Sequence, residues 1–177
     1  MDSNLWKFHR RSIRLKGYDY SRPGAYFVTI CLYGREPYLE MPAVRTIVNE
    51  VWNALPHRFP TIALDEYVIM PDHVHFILWL RPDAQDRPTL GRIVCAYKSL
   101  RGRAALSYLR TLGDICGDHF WQRDYYDHII SNKAELQEIR KYIRDNPYKQ
   151  EVSNVSMQYE GGANTRPQTE THRSPQL

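Results

Sequence analysis

The stretch from Tyr67 to Leu80 constrains the fold of this chain more than any other part of the sequence. It reads YVIMPDHVHFILWL and carries no charged residue after Asp72, apart from its two histidines. Its β-branched and aromatic residues predict two strands that are separated by a turn at residues 70–72. Because side chains alternate faces along a strand, His73 and His75 should point the same way, roughly 6–7 Å apart. Two imidazoles on one face can bind one metal ion, although packing within a half-buried strand would explain the same pair.

Strand-like and helix-like patterns alternate along the rest of the chain. Strands are predicted over residues 25–32, 61–69, 73–80 and 125–130. Three helices are predicted: over residues 42–55, from the cap Thr89 through Tyr108, and from a cap at Ser131 or Asn132 to about Asp145. Pro56 is expected to end the first helix, and Pro147 is expected to end the third. The order β-α-β-β-α-β followed by α predicts an α+β fold of the ferredoxin-like split-βαβ type. We therefore expect an antiparallel four-stranded sheet with helices on one face, plus a C-terminal helix.

The length and composition suit one folded domain with flanking segments. The chain has 177 residues, of which 42% are hydrophobic. We expect a basic arm over residues 1–22, a folded domain over 23–150 and a polar, flexible tail over 151–177. No apolar run approaches the ~18 residues of a membrane span, and the N-terminus lacks a signal-peptide core, so a cytoplasmic protein with no membrane partner is expected. The three cysteines lack CxxC spacing, which favours buried or incidental thiols over a disulfide framework or a zinc site.

Basic residues cluster in two regions of a chain whose formal net charge is +4. Residues 1–24 and 90–110 hold these clusters, and the second contains no acidic residue. Such clusters suit a polyanion such as nucleic acid, although a solvated surface would also explain them. The candidate phosphate contacts are Arg10, Arg11, Arg14, Lys98, Arg101 and Arg103. Trp121 and Arg123 lie in a Phe-Trp-x-Arg-x-Tyr-Tyr cluster, whose aromatic residues could stack unpaired bases or close the edge of a core.

The predicted third helix carries a tyrosine and an asparagine on one edge. Tyr142 and Asn146 are four residues apart and therefore lie one helical turn apart. By themselves they would suit a partly buried structural tyrosine and a helix cap. Beside a His-x-His strand, they could supply an oxygen ligand and a hydroxyl placed to attack a metal-held phosphoryl group. Tyr125 and Tyr126 are weaker candidates for a nucleophile, and His128 is expected to be structural.

Three segments that occur in order resemble a known family. They are MPDHVHFI at residues 70–77, FWQRDYYDHII at 120–130 and IRKYIRDNP at 139–147. Together they resemble the single-tyrosine HUH transposases, most closely the REP-associated tyrosine transposases, over about residues 10–150. The resemblance implies a ferredoxin-like core that cuts single-stranded DNA at or near hairpins. It also implies that His73 and His75 bind the metal, that Tyr142 is the nucleophile, and that Asn146 completes the metal site.

The resemblance further implies a 5′-phosphotyrosine link and a free 3′-hydroxyl, so that the enzyme joins as well as cuts. Mg²⁺ or Mn²⁺ suits phosphate, and the two imidazoles favour Mn²⁺ or another transition ion for affinity. The short link of Ser131 and Asn132 before the third helix favours a tyrosine that acts within its own chain, and a monomer over a dimer. Two other functions fit the residues: a metal-dependent phosphodiesterase that uses water, and a non-catalytic nucleic-acid-binding module with core histidines.

Overall fold

The computed structural model describes residues 15–82, 87–113 and 119–160, without the side chains of residues 100–101 and 148–160. The predicted DNA contacts Arg10, Arg11 and Arg14, the side chain of Arg101, and Cys116 therefore lie outside the described residues. The chain divides into two compact units, one that ends at Asp145 and one that begins at Asn146. Within the described residues, no helix combines the length and the apolar character that a membrane crossing requires.

Within the part of the chain that the structure describes, seven main elements follow the predicted order. They are β1 (Gly24–Cys31), α1 (Pro42–Arg58), β2 (Ile62–Ile69), β3 (His73–Leu80), α2 (Leu90–Thr111), β4 (Tyr126–Ile130) and α3 (Lys133–Glu160). Two short 3-10 turns, Tyr33–Arg35 and Tyr38–Glu40, connect β1 to α1. The strand order in the sheet is β2-β3-β1-β4, and every neighbouring pair is antiparallel. The ferredoxin-like α+β architecture predicted from the sequence is confirmed.

Two predicted helix ends are wrong. Pro56 lies inside α1, which continues to Arg58, and Pro147 lies inside α3, which continues to Glu160. A proline removes its own N–H donor from the helix, but its φ angle is helical, so a helix can continue through it at the loss of one hydrogen bond. At the end of α1, Phe59 N still donates to Leu55 O at 2.8 Å, three residues beyond the proline. Residues 151–160, whose composition suggests a flexible tail, are the last turns of α3.

The sheet buries both of its faces. Even-numbered residues of β1 and β3 pack in the core that contains α1 and α2: Tyr26, Val28, Ile30, Val74, Phe76 and Leu78. On the opposite face, Ala25, Phe27 and Ile77 pack against α3 through Leu136, Ile139 and Ile143. The helices predicted on one face are therefore α1 and α2, and the C-terminal helix covers the other. Because His73 and His75 have the same parity as Ile77, they share the face of α3.

Hydrogen bonds at the start of α3 fix where this helix begins. Asn132 Oδ1 accepts a hydrogen bond from Glu135 N at 2.9 Å, so Asn132 is the cap rather than Ser131. The Glu135 carboxylate accepts bonds in return from Ser131 N and Ser131 Oγ, both at 2.7 Å. This reciprocal arrangement resembles a capping box. The position of this cap determines which residues of α3 face the sheet, and Tyr142 is one of them.

An ion pair ties α3 to the sheet. Arg140 donates from Nε and Nη2 to the two carboxylate oxygens of Asp65, at 3.0 and 2.6 Å, and Trp79 Nε1 donates to the same carboxylate at 2.7 Å. Burial would raise the pKa of Asp65, but the hydrogen bonds from Arg140 and Trp79 and the Arg140 charge outweigh it, so the pKa is lowered. Since Arg140 precedes Tyr142 by two residues, this pair helps to hold the tyrosine against the sheet.

Asp65→Asn is expected to lower the free energy of unfolding at neutral pH by about 1–3 kcal/mol, because it leaves Arg140 with a weaker partner. Since the folded pKa of Asp65 is depressed, its stabilisation is present above the unfolded pKa of about 4 and is lost as the pH falls through the folded pKa. The difference between wild type and variant should therefore shrink below about pH 4. Urea unfolding at several pH values measures this, and a pH-independent difference would contradict it.

Candidate functional site

The two histidines of β3 converge at one point on the face of α3. Their Nε2 atoms lie 3.0 Å apart, and their ring centroids are 4.5 Å apart. His75 is only 1% exposed, whereas the His73 side chain is 12% exposed. The pair therefore lies at the edge of a buried region with one imidazole reachable from outside. The predicted common orientation of the two side chains is confirmed.

Each imidazole is held at its other nitrogen. His73 Nδ1 lies 2.5 Å from Asp72 Oδ1, and His75 Nδ1 lies 2.7 Å from Thr29 Oγ1. Thr29 is the residue of β1 directly opposite His75. When Nδ1–H donates to Asp72 or to Thr29, each Nε2 presents a lone pair, and two lone pairs 3.0 Å apart need a proton or a cation between them. The donor set therefore fits a divalent metal held by the two Nε2 atoms.

Asp72 links His73 to an arginine. Arg35 Nε lies 2.7 Å from Asp72 Oδ2, and Arg35 Nη1 donates to Cys31 Sγ at 2.7 Å. Burial would raise the pKa of Asp72, but the hydrogen bond to His73 and the charges of His73 and Arg35 outweigh it and hold this pKa below its usual value. Arg35 has a left-handed backbone, with φ of 62°. A strained, non-glycine residue therefore anchors the acidic partner of a histidine ligand.

Tyr142 directs its hydroxyl toward the same point. Its Oη lies 3.3 Å from His75 Nε2 in the same chain. Its ring contacts Phe27 edge-on at 6.1 Å between centroids, and Phe27 stacks on His75 at 5.5 Å. Phe27 therefore contacts both rings, and the rings of His75 and Tyr142 also contact each other, with 5.3 Å between their centroids. The structure brings His73, His75 and Tyr142 together, as the sequence predicted.

Asn146 is the first residue of the second compact unit and follows Tyr142 by one turn of α3. Its Nδ2 atom is buried and has no hydrogen-bond partner among the described residues. The described residues also contain no group of three or more His, Cys, Asp or Glu side chains that could hold a metal. A third protein ligand from the described residues would therefore be of another type, so Asn146 stays a predicted ligand.

The described candidates for DNA contact fall into two groups. Arg103 and Arg123 are exposed. Trp121 is only 8% exposed and packs on Tyr97 and Phe120, which favours the alternative in which it closes the edge of the core. Lys98 directs its ammonium at backbone carbonyls rather than at solvent. Counting charges in the sequence cannot separate these two groups.

Tyr126 and His128, which also lie on the face of α3, have structural contacts. The Tyr126 ring contacts Phe27 at 6.1 Å, and burial raises the pKa of its phenol. His128 Nε2 lies 2.7 Å from Glu135 Oε1 and thereby supports the start of α3. Sequence reasoning missed Thr29, Arg35 and Asp72 as supports of the histidines. Of these, only Asp72 had a local signal, since it directly precedes His73.

Comparisons with known proteins agree with this architecture. The sequence model of the family described as Transposase IS200 like matches residues 24–146. An uncharacterized protein of Haemophilus influenzae (strain ATCC 51907 / DSM 11121 / KW20 / Rd) is 34% identical over 165 residues, which cover 78% of this chain and 88% of that protein.

Two solved structures share the fold. One is a REP-associated tyrosine transposase bound to a REP hairpin, with a TM-score of 0.56, 19% identity, and coverage of 80% of this chain and 74% of that chain. The other is a protein of Deinococcus radiodurans R1 described as a candidate transposase, with a TM-score of 0.51, 22% identity, and coverage of 75% and 95%. These likenesses extend over most of the chain and support the ferredoxin-like topology.

Proposed function

This chain belongs to the family of IS200-like transposases, and we propose on that premise that it is a metal-dependent endonuclease and strand-transferase for single-stranded DNA at hairpins. One observation carries the proposal: the Tyr142 hydroxyl lies 3.3 Å from His75 Nε2, where His73 Nε2 also converges. A nucleophile beside a pair of metal-ligating nitrogens is the arrangement that covalent phosphoryl transfer needs. The hairpin bound by the structural relative suggests the form of the substrate.

His73 and His75 would hold a divalent ion through Nε2, and Asn146 would supply an oxygen ligand. The Asn146 assignment depends on its position one turn after Tyr142 and on the family resemblance. When bound, Mg²⁺ or Mn²⁺ would polarise the scissile phosphate and offset the negative charge that develops on its oxygens. Asp72 and Thr29 would hold the imidazoles by their Nδ1 atoms, so that both Nε2 lone pairs would be available to the ion.

Tyr142 supplies the covalent step. Its oxygen attacks the phosphorus while the phenolic proton is lost, a tyrosine–phosphate bond forms at the 5′ side, and the bond to the 3′ oxygen breaks. The leaving 3′ oxygen takes up a proton and becomes a free hydroxyl. In the reverse direction, a 3′-hydroxyl attacks the phosphotyrosine and restores a phosphodiester, so joining requires no ATP. Because Tyr142 reaches His75 of its own chain, the proposal needs only one subunit.

DNA affinity would come from arginine side chains. Arg103 and Arg123 are exposed, and Arg10, Arg11, Arg14 and Arg101 remain predicted phosphate contacts. Contacts of this kind make affinity fall as salt rises, because each neutralised phosphate releases counterions. They position the strand without reading its sequence.

The decisive experiment traps a covalent product. The protein is incubated with a DNA hairpin flanked by single strands in Mg²⁺ or Mn²⁺, and adducts are resolved on denaturing gels. We expect an adduct whose peptide maps to Tyr142, and no cleavage in EDTA. Cleavage without an adduct would support the water-dependent phosphodiesterase instead. DNA binding that is indifferent to EDTA, with no cleavage in either ion, would support the non-catalytic binding module.

Asp72→Asn is expected to weaken the binding of Mn²⁺ by about 10–100-fold, because Asn provides no negative charge behind the His73 ring. Isothermal titration with Mn²⁺ measures the loss. Asp65→Asn is the matched control, since it removes a carboxylate on the same face that contacts α3 and Trp79. Equal Mn²⁺ affinities for wild type and Asp72→Asn would show that Asp72 does not support a metal ligand.

A further inference from the structure

The chain bulges between β4 and the segment that precedes it. Thr29 pairs with Tyr126, and the next bridge joins Leu32 to Trp121. Two residues of β1 therefore lie opposite four residues of the other strand, and we call these four, 122–125, the bulge. A bulge interrupts the regular ladder, leaves backbone groups in need of other partners and redirects side chains. Here Gln122 N retains a bond to Cys31 O at 2.9 Å, while the carbonyls of residues 122–124 accept hydrogen bonds from α2.

Lys98 of α2 satisfies those carbonyls. Its Nζ donates to the backbone oxygens of Gln122, Arg123 and Asp124 at 2.7, 2.9 and 3.2 Å. An ammonium group has three N–H donors, so these bonds can use all of them. Nζ also lies 5.7 Å from the centroid of the Tyr125 ring. Burial lowers the pKa of Lys98, as expected for an ammonium partly withdrawn from water.

The bulge and α2 form the two walls of a furrow. On one side of Lys98, a cavity of about 310 Å³ is lined by Arg103, Arg123, Leu106 and Trp121, among others. On the other side, a cavity of about 400 Å³ is lined by Arg123, Tyr125 and Cys95, among others. Arg123 borders both cavities and is exposed, and Arg103 is exposed on the α2 wall. The furrow therefore has Lys98 on its floor and two exposed arginines, Arg103 and Arg123, on its rims.

The backbone of the bulge lies one strand away from His73. Gln122 bonds to Cys31, and Cys31 is the partner of His73 in the pairing of β1 with β3. The α2 wall itself packs on the sheet face opposite to the histidine pair. The cations suit phosphates, and the half-buried ring of Tyr125 suits an unpaired base.

We propose that this furrow binds single-stranded DNA through Arg103 and Arg123, and that Lys98 positions Arg123 by holding the bulge instead of contacting DNA itself. The proposal rests on the proposed function only for the identity of the ligand. It assigns Lys98 a role different from the phosphate contact that the sequence suggested. An arginine on a pre-organised backbone loses less conformational entropy on binding than one on a mobile loop.

Three variants separate positioning from direct contact. Binding of a fluorescent single-stranded oligonucleotide is measured by anisotropy in EDTA at several salt concentrations. Arg123→Gln should weaken binding about 5–10-fold and reduce the slope of log K against log salt by about 0.7, which is one phosphate contact on a single strand. Lys98→Met and Lys98→Arg should each weaken binding by a similar factor. When either is combined with Arg123→Gln, binding should be no weaker than in Arg123→Gln alone. Lys133→Met, which removes an exposed lysine of α3, controls for charge and should leave affinity nearly unchanged.

Lys98→Arg is the discriminating variant, because it keeps the charge but replaces a compact three-donor group with a planar fork. If Lys98→Arg binds like wild type while Lys98→Met weakens binding additively with Arg123→Gln, Lys98 contacts DNA directly and the proposal is overturned. Hydrogen exchange provides a readout without DNA: amides of residues 121–126 should exchange faster in both Lys98 variants. Unchanged exchange would show that Lys98 does not hold the bulge.

The outcomes also separate this proposal from the proposed function. If an adduct forms at Tyr142 but Arg123→Gln leaves affinity unchanged, the furrow is not the DNA site and the nuclease assignment stands. If Arg123→Gln weakens binding with the expected salt slope but no adduct ever forms, the furrow stands and the nuclease assignment fails.

Discussion

Tyr142→Phe is expected to lower the rate of DNA cleavage at least about 10³-fold and to leave DNA affinity within about twofold, since removal of a covalent nucleophile eliminates its whole pathway. The change deletes only the hydroxyl that lies 3.3 Å from His75 Nε2. The ring should keep its edge-on contact with Phe27, so α3 should stay in place. Cleavage is measured in single turnover with excess protein, and affinity is measured by anisotropy in EDTA.

Tyr126→Phe is the matched control for Tyr142→Phe. Tyr126 also packs on Phe27 and lies on the same face of the sheet, and it was a weaker candidate for the nucleophile. Its variant should cut DNA and form the covalent adduct as wild type does. Full cleavage by Tyr142→Phe would disprove the tyrosine mechanism, and loss of the adduct only in Tyr126→Phe would move the nucleophile to β4.

The face that carries the site could be predicted because it depends on local alternation. The period of two along β3 is enough to place His73 and His75 on one side, and the 3.6-residue period of α3 is enough to place Tyr142 beside its apolar stripe. The supports of the site depend on register instead. Thr29 bonds to His75 across 46 positions of sequence, and only the pairing of β1 with β3 brings them opposite each other. No local pattern contains that information.

Charge and proline signals were less informative for a related reason. Lys98 belongs to a basic cluster, yet its ammonium satisfies three carbonyls that a bulge more than twenty residues away leaves without ladder partners. Its role arises from the tertiary structure and not from its neighbours in sequence. Likewise, Pro147 signals a helix end locally, but α3 continues past it to Glu160. Local propensity is a weak prior where wider context determines the backbone.

His73→Ala and His75→Ala are each expected to reduce metal-dependent cleavage at least about 10²-fold, because loss of a ligand removes several kcal/mol of charge stabilisation from the transition state. The two variants should differ in stability. His75 is fully buried between Phe27, Thr29 and Tyr142, so its loss leaves a cavity and should cost about 1–3 kcal/mol. His73 is more exposed, and its partner Asp72 keeps Arg35, so His73→Ala should be nearly as stable as wild type.

This difference separates a catalytic histidine pair from a structural one. His73→Ala is the sharper test, since its folded state should be intact when cleavage is measured. Urea unfolding gives the fraction folded for each variant, Mn²⁺ titration gives the metal affinity, and single-turnover cleavage is normalised to folded protein. If His73→Ala keeps its Mn²⁺ affinity and its normalised cleavage rate, the convergence of the two Nε2 atoms reflects packing alone. If a stably folded His73→Ala instead loses both its Mn²⁺ affinity and its normalised cleavage rate, the His73 imidazole acts through the metal. It would then contribute to the reaction without contributing to the stability of the fold.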